Sequence, residues 1–204
     1  MAFMPAERPA TPDELASLPA KDLERIALNI NPGGWAVEKA RPIATLLGSC
    51  VSVCLCDPKL QIGGMNHFLL PSRAGSGADD HDVILAGDYS MEVMVNALLG
   101  KGARKERLVA KAFGGGTIVS SIGMAIGQRN ADFAKEWLAR EGIPLVASDL
   151  LGAWTRKVVF LPGNGDAYCR RMATTQALAI QAVKEEKAYE QSLAKPAAKR
   201  VELF

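Results

Sequence analysis

Residues 43–70 read IATLLGSCVSVCLCDPKLQIGGMNHFLL, three apolar runs separated by two sharp bends. Val51, Val53 and Leu55 alternate with Ser52, Cys54 and Cys56, the period of two that a β-strand imposes on its side chains. Ile43 to Leu47 forms a strand before this one, and Gln61 to Leu70 a strand after it that ends at Pro71. Gly48-Ser49-Cys50 reads as a tight bend between the first two, and Asp57-Pro58-Lys59 as a turn between the second pair. A turn that short largely fixes the register of the hairpin it closes. Val51 and Phe68 then become neighbours at the far end, and Cys50 approaches His67. The expectation has two conditions: both side chains must lie on one side of the sheet, and the sulfur must be reachable.

Working outward, Thr11-Pro12-Asp13-Glu14 fits a capping box with proline at the first helical position, opening a short helix to about Leu28 that is interrupted near Pro19. Asn31-Pro32-Gly33-Gly34 is a turn. Residues 71–87, rich in Ser, Gly, Ala and Asp, read as a polar loop. Asp88 or Ser90 caps a helix through Leu99. Leu108 to Phe113 is a strand leading into the Gly114–Thr117 loop. Asn130 is the expected N-cap of a helix to Glu141, with Phe133 and Trp137 on its core side and Gly142 past its end. Pro144 to Ser148 is a strand. Lys157 to Leu161 and Ala167 to Arg171 flank Pro162-Gly163-Asn164-Gly165-Asp166, a hairpin signal. Residues 173–194 are helical in composition, and Pro196 ends the run. The three-strand start and the late hairpin are not βαβ units, so the class is α+β, with helices layered on antiparallel or mixed sheets.

The formal net charge of +2 on 204 residues gives no electrostatic case for nucleic acid or a membrane surface. No apolar stretch approaches the roughly 18–20 residues of a membrane span, and the expected location is cytoplasmic. In a reducing compartment the four cysteines, Cys50, Cys54, Cys56 and Cys169, are thiols rather than disulfides, and no Cys-x-x-Cys pair gives a zinc spacing.

A cysteine nucleophile needs an accessible sulfur, a base and donors for the oxyanion. Cys50 follows Gly48-Ser49 at the mouth of a strand, where free N–H groups could meet developing charge, and His67 is one of only two histidines. A histidine partner lowers a thiol pKa from about 8.5 into the range of about 3.5–7.5. Other readings stand beside this one. A cysteine in a hairpin is commonly a small buried side chain, and the alternation already gives Cys54 and Cys56 a packing role. Cys50, Cys54, Cys56 and His67 could hold a metal, though at no standard spacing. His81, among Asp79, Asp80 and Asp82, reads as part of a solvated loop, and no Lys-Ser or Lys-Thr follows Gly114–Gly116 to make a phosphate loop.

The blocks Thr45–Leu55, Gly63–Pro71, Lys111–Gly116, Ile126–Asn130 and Arg156–Val158 resemble, in this order, the signature of the CheD family, with the likeness running from about residue 35 to 172. The resemblance implies hydrolytic deamidation of glutamines on methyl-accepting chemotaxis receptors, and a layered α/β sandwich similar to the catalytic domain of cytotoxic necrotizing factor toxins. The family's catalytic cysteine and histidine fall on Cys50 and His67. Its third member is a threonine, for which Thr45 is the candidate; in some relatives it stands one residue earlier, where this chain has Ala44. Gly48 and Ser49 would hold the oxyanion, and no metal or organic cofactor is required. Many relatives also bind the phosphatase CheC. The division implied is a 1–30 extension, a 31–172 deamidase domain and a 173–204 helical extension, which could dock on the domain, bind a partner or do neither. A methylesterase, a thiol peptidase and a non-catalytic binding module are the alternatives.

Overall fold

The computed structural model describes residues 11–70, 80–117, 122–173 and 177–193. The described residues begin with two helices, α1 (Pro12–Ala16) and α2 (Ala20–Ile26). The expected capping box is present on α1: Thr11 Oγ1 accepts from Glu14 N, and Glu14 accepts from Thr11 N at 2.8 Å. The strands that follow are β1 (Leu28–Asn29), β2 (Trp35–Glu38), β3 (Ile43–Leu47), β4 (Val51–Asp57) and β5 (Ile62–Asn66). Helix α3 (Asp80–Gly100) leads to β6 (Val109–Gly114), and α4 (Ile122–Arg140) to β7 (Leu145–Leu150). The hairpin β8 (Trp154–Leu161) and β9 (Asp166–Ala173) precedes the last helix, α5 (Ala177–Leu193).

The strands form two sheets. One runs β1-β3-β8-β9; the other runs β2-β5-β4-β6-β7, with β1–β3 and β6–β7 parallel and the remaining pairs antiparallel. Three cores separate four layers. Val51, Val53 and Leu55 pack with Met91, Met94 and Leu98 of α3 and Ala134, Trp137 and Leu138 of α4. Cys54, Cys56 and Met65 face Ile43, Leu47, Val158 and Phe160 across the gap between the sheets. Ala44, Val159 and Leu161 pack against Leu15 of α1 and Leu23 of α2. The layered α+β sandwich expected from the sequence is the fold observed. Strand β4 is buried along its whole length, because helices cover one of its faces and the second sheet the other.

Several boundaries differ from expectation. The third strand stops at Asn66 rather than Leu70; beyond it the backbone of His67 leaves the ladder to pair with the Asn31–Gly34 turn, accepting from Gly33 N at 2.8 Å and donating to Gly34 O at 2.9 Å. Helix α3 begins at Asp80, inside the segment read as a loop, since polar composition before Val83 hides a helix start. The remainder of that loop, residues 71–79, lies outside the described residues, as does Pro196. Asn130 is not an N-cap but sits in the middle of α4, fully buried. No helix of the described residues is long and apolar enough to cross a membrane.

Candidate active site

The hairpin delivers what its turn implied. Cys54 pairs with Met65 and Asp57 with Ile62, and the same register carries on to a bridge between Val51 and Phe68. Side chains at 50, 52 and 54 therefore share a face with those at 65, 67 and 69. That face looks into the gap between the sheets, so Cys50 and His67 lie on one side, as required. A ring nitrogen of His67, Cys50 Sγ and a carboxylate oxygen of Glu186 all lie within 4.8 Å of one another.

Thr45 reaches the same place from the other sheet. The 48–50 bend takes the chain from β3 in one sheet to β4 in the other, and Thr45 points inward with Ile43 and Leu47. Ala44 points the opposite way, into the core beneath α1 and α2. Thr45 Oγ1 donates to Ile30 O at 2.8 Å and lies 2.8 Å from His67 Nδ1. A hydroxyl has one proton. With that proton spent on Ile30, His67 Nδ1 must carry the hydrogen and Thr45 must accept it. The imidazole is thus held as the tautomer with a bare Nε2, an atom with no hydrogen-bond partner among the described residues. Burial pushes the His67 pKa down to about 3, against the opposing effect of the Ile30 carbonyl, so the ring is a neutral base across the physiological range.

The bend itself is shaped for an anion. Its carbonyls are turned away and tied: Gly48 O accepts from Gly116 N at 2.7 Å, Cys50 O from Gly115 N at 2.8 Å, and Ser49 O from Asn130 Nδ2 at 3.0 Å. The three N–H groups converge on the opposite side. Gly48 N and Cys50 N donate to Glu186 Oε1 at 2.7 and 3.0 Å, while Ser49 N and Ser49 Oγ donate to Oε2, both at 2.8 Å. Successive N–H groups aimed at one point form an anion nest. The close approach of the 114–116 loop requires glycine: Gly114 has φ +113°, and a Cβ there would stand 2.2 Å from Cys50 O.

Asn130 binds the two arms of the site together, since its Oδ1 also accepts from Leu70 N at 2.9 Å. The sequence signal for it is its position in the Ile126–Asn130 block, which does not by itself distinguish a helix cap from a buried clamp. Glu186 carried no signal. It comes from α5, 136 residues beyond Cys50, and it closes the site: Cys50 is 0% and His67 1% exposed, so the expectation of a reachable sulfur is not met with α5 in place.

The Cys50–His67–Glu186 cluster has the residue types of a metal site. The donors argue otherwise, because each carboxylate oxygen already accepts two hydrogen bonds, leaving no lone pair directed at a cation. Cys54 and Cys56 stand apart from this cluster. Burial raises the Cys54 pKa far above the thiol range; burial and then Asp57 raise that of Cys56 to about 11, which fits their packing role. The side chain of His81 lies outside what is described.

A thiol, an oriented imidazole and an anion nest meet at the junction of two sheets in a four-layer sandwich. Residues 69–171 match the family described as CheD chemotactic sensory transduction. A protein of Dechloromonas aromatica named probable chemoreceptor glutamine deamidase CheD 2 is 56% identical over 196 residues, 94% of this chain and 100% of that one. A Burkholderia thailandensis protein of the same name is 43% identical, covering 90% of this chain and 96% of its own. Among solved structures, a Bacillus licheniformis hypothetical protein, YfiH, aligns with 58% of the chain at 15% identity and a TM-score of 0.38, too slight a likeness to argue from. The chain belongs to the CheD family.

Proposed function

We propose that the protein hydrolyses specific glutamine side chains of methyl-accepting chemotaxis receptors to glutamate, with Cys50 as nucleophile and His67 as base. The names of the relatives support the substrate, and the geometry supports the chemistry. His67 Nε2 takes the thiol proton as Cys50 Sγ attacks the amide carbon. The oxyanion is received by the N–H groups of Gly48, Ser49 and Cys50. The imidazolium gives its proton to the nitrogen, the C–N bond breaks, and ammonia leaves a thioester. Water, losing a proton to His67, then cleaves the thioester to a glutamate and restores the thiol. Thr45 orients the ring and acts through it. No step calls for a metal or organic cofactor. The setting is cytoplasmic, and the family resemblance adds a CheC phosphatase as a partner.

The observation that carries this reading is the bare Nε2 of a tautomer fixed by Thr45, in a ring with a nitrogen within 4.8 Å of the Cys50 sulfur. The test is mass spectrometry of receptor incubated with the protein. Amide must become acid at discrete glutamines with the backbone uncut, and Cys50→Ala must stop it. A cut backbone would make the protein a peptidase, release of methanol from methylated receptor an esterase, and chemotaxis fully restored by Cys50→Ala a binding module.

A further inference from the structure

Helix α5 turns one stripe toward the site. Ala182 and Glu186 are buried and Tyr189 is half-buried, at spacings of four and three residues, while Ile180, Gln181, Lys184, Lys187 and Ala188 face out. The Tyr189 ring packs on the core between the sheets and against Gly33, where an added Cβ would lie 2.7 Å from the ring. Glu186 is only 5% exposed, yet among the described residues its four donors are three backbone N–H groups and a hydroxyl, none of them charged. Packing alone gives no reason to bury an anion without a cation. A glutamate in that nest, with its carboxylate beside the sulfur, has the chemical form of a deamidated glutamine.

We propose that the cleft under α5 is the seat of the substrate helix, and that α5 fills it as a tethered product. The partner it fits is an α-helical segment presenting glutamine, with a small residue four positions before it, as at Ala182, and a ring or other large side chain three positions after it, as at Tyr189. The inference rests on Cys50 and His67 being the reacting pair. It accounts for the burial of both: a substrate helix must displace α5 to enter. While α5 is seated, its carboxylate also repels the negative charge the sulfur needs for attack.

The test uses the full chain carrying Glu186→Gln, which presents an amide where the carboxylate sits. Sγ–C bond formation, loss of ammonia and hydrolysis by water would convert that amide to the acid. The expected result is conversion at position 186 in the intact-mass and peptide spectra, at a rate independent of protein concentration, and absent when Cys50→Ala is added. In parallel, Glu186→Ala should raise the rate of Cys50 alkylation about tenfold or more, since one charge-assisted hydrogen bond is worth a factor of that order. It should also lower KM for a helical glutamine substrate. If the introduced amide persists while wild type or Glu186→Ala deamidates receptor, the cleft assignment is overturned and the Cys50–His67 reading stands. Conversion that survives Cys50→Ala, or alkylation unchanged by Glu186→Ala, also overturns it. If receptor is not deamidated by either protein, the underlying reading fails instead.

Discussion

At the Asp57 end of β4, a buried carboxylate accepts from the backbone N–H groups of Lys59, Leu60 and Arg104 and is gripped by the Arg107 guanidinium at 2.5–3.0 Å. At the Cys50 end, the buried carboxylate of Glu186 also accepts from three backbone N–H groups, but a serine hydroxyl takes the place of the guanidinium. The first carboxylate belongs to the strand it anchors. The second is brought by another element and can leave with it. Arg107 hydrogen bonding, opposed by burial, holds the Asp57 pKa down at about 2, so that end is locked by charge. The Cys50 end offers neutral donors to whatever oxygen arrives. One strand thus carries a structural terminus and an exchangeable one, and the difference is whether a cation is built in.

The comparison predicts that the two ends separate activity from stability. Cys50→Ala and His67→Ala should each lower receptor deamidation at least about a thousandfold, without additivity in the double variant; a residual rate near wild type would remove the Cys50 end from the chemistry. Thr45→Ala should lower kcat by about 10- to 100-fold with little change in KM, and Thr45→Ser should restore most of it. Equal losses in the serine and alanine variants would mean that packing, not the hydrogen bond to His67, is what Thr45 supplies. Asp57→Asn should leave kcat intact but lower the thermal midpoint by about 5–10 °C, because Arg107 loses its counter-charge.

Acid should act on both ends in turn. The unfolded chain protonates its histidines near pH 6.5, whereas folded His67 resists until about 3. The unfolded state binds more protons in that window, so stability falls as pH drops through it. The Asp57 carboxylate, depressed to about 2, adds stability above pH ~3.9 that is lost as pH falls toward 2. Asp149 behaves likewise: burial raises its pKa, but hydrogen bonds from Arg171 and Arg156 outweigh this and hold it at about 2. Urea midpoints measured from pH 7 to about 2 should therefore decline in two stages. His67→Gln should flatten the upper stage and Asp57→Asn should shrink the lower one.

What the sequence determined is what short turns and alternation determine. The turn after Asp57 set the β4–β5 register, and the period of two then put Cys50 and His67 on one face. The Pro162–Gly165 turn set the last hairpin, and Thr11 to Glu14 the first helix cap. These depend on residues a few positions apart, whose geometry is fixed by local torsions and hydrogen bonds. The choice of Thr45 over Ala44 needed the second sheet, because only its packing says which face looks inward. A buried asparagine within a helix and a capping one look alike in sequence until Ser49 and Leu70 come to meet Asn130. Glu186 was invisible because nothing local ties a polar helix to a bend 136 residues away. That meeting exists only once two sheets, folded on each other, aim three backbone N–H groups at a single point.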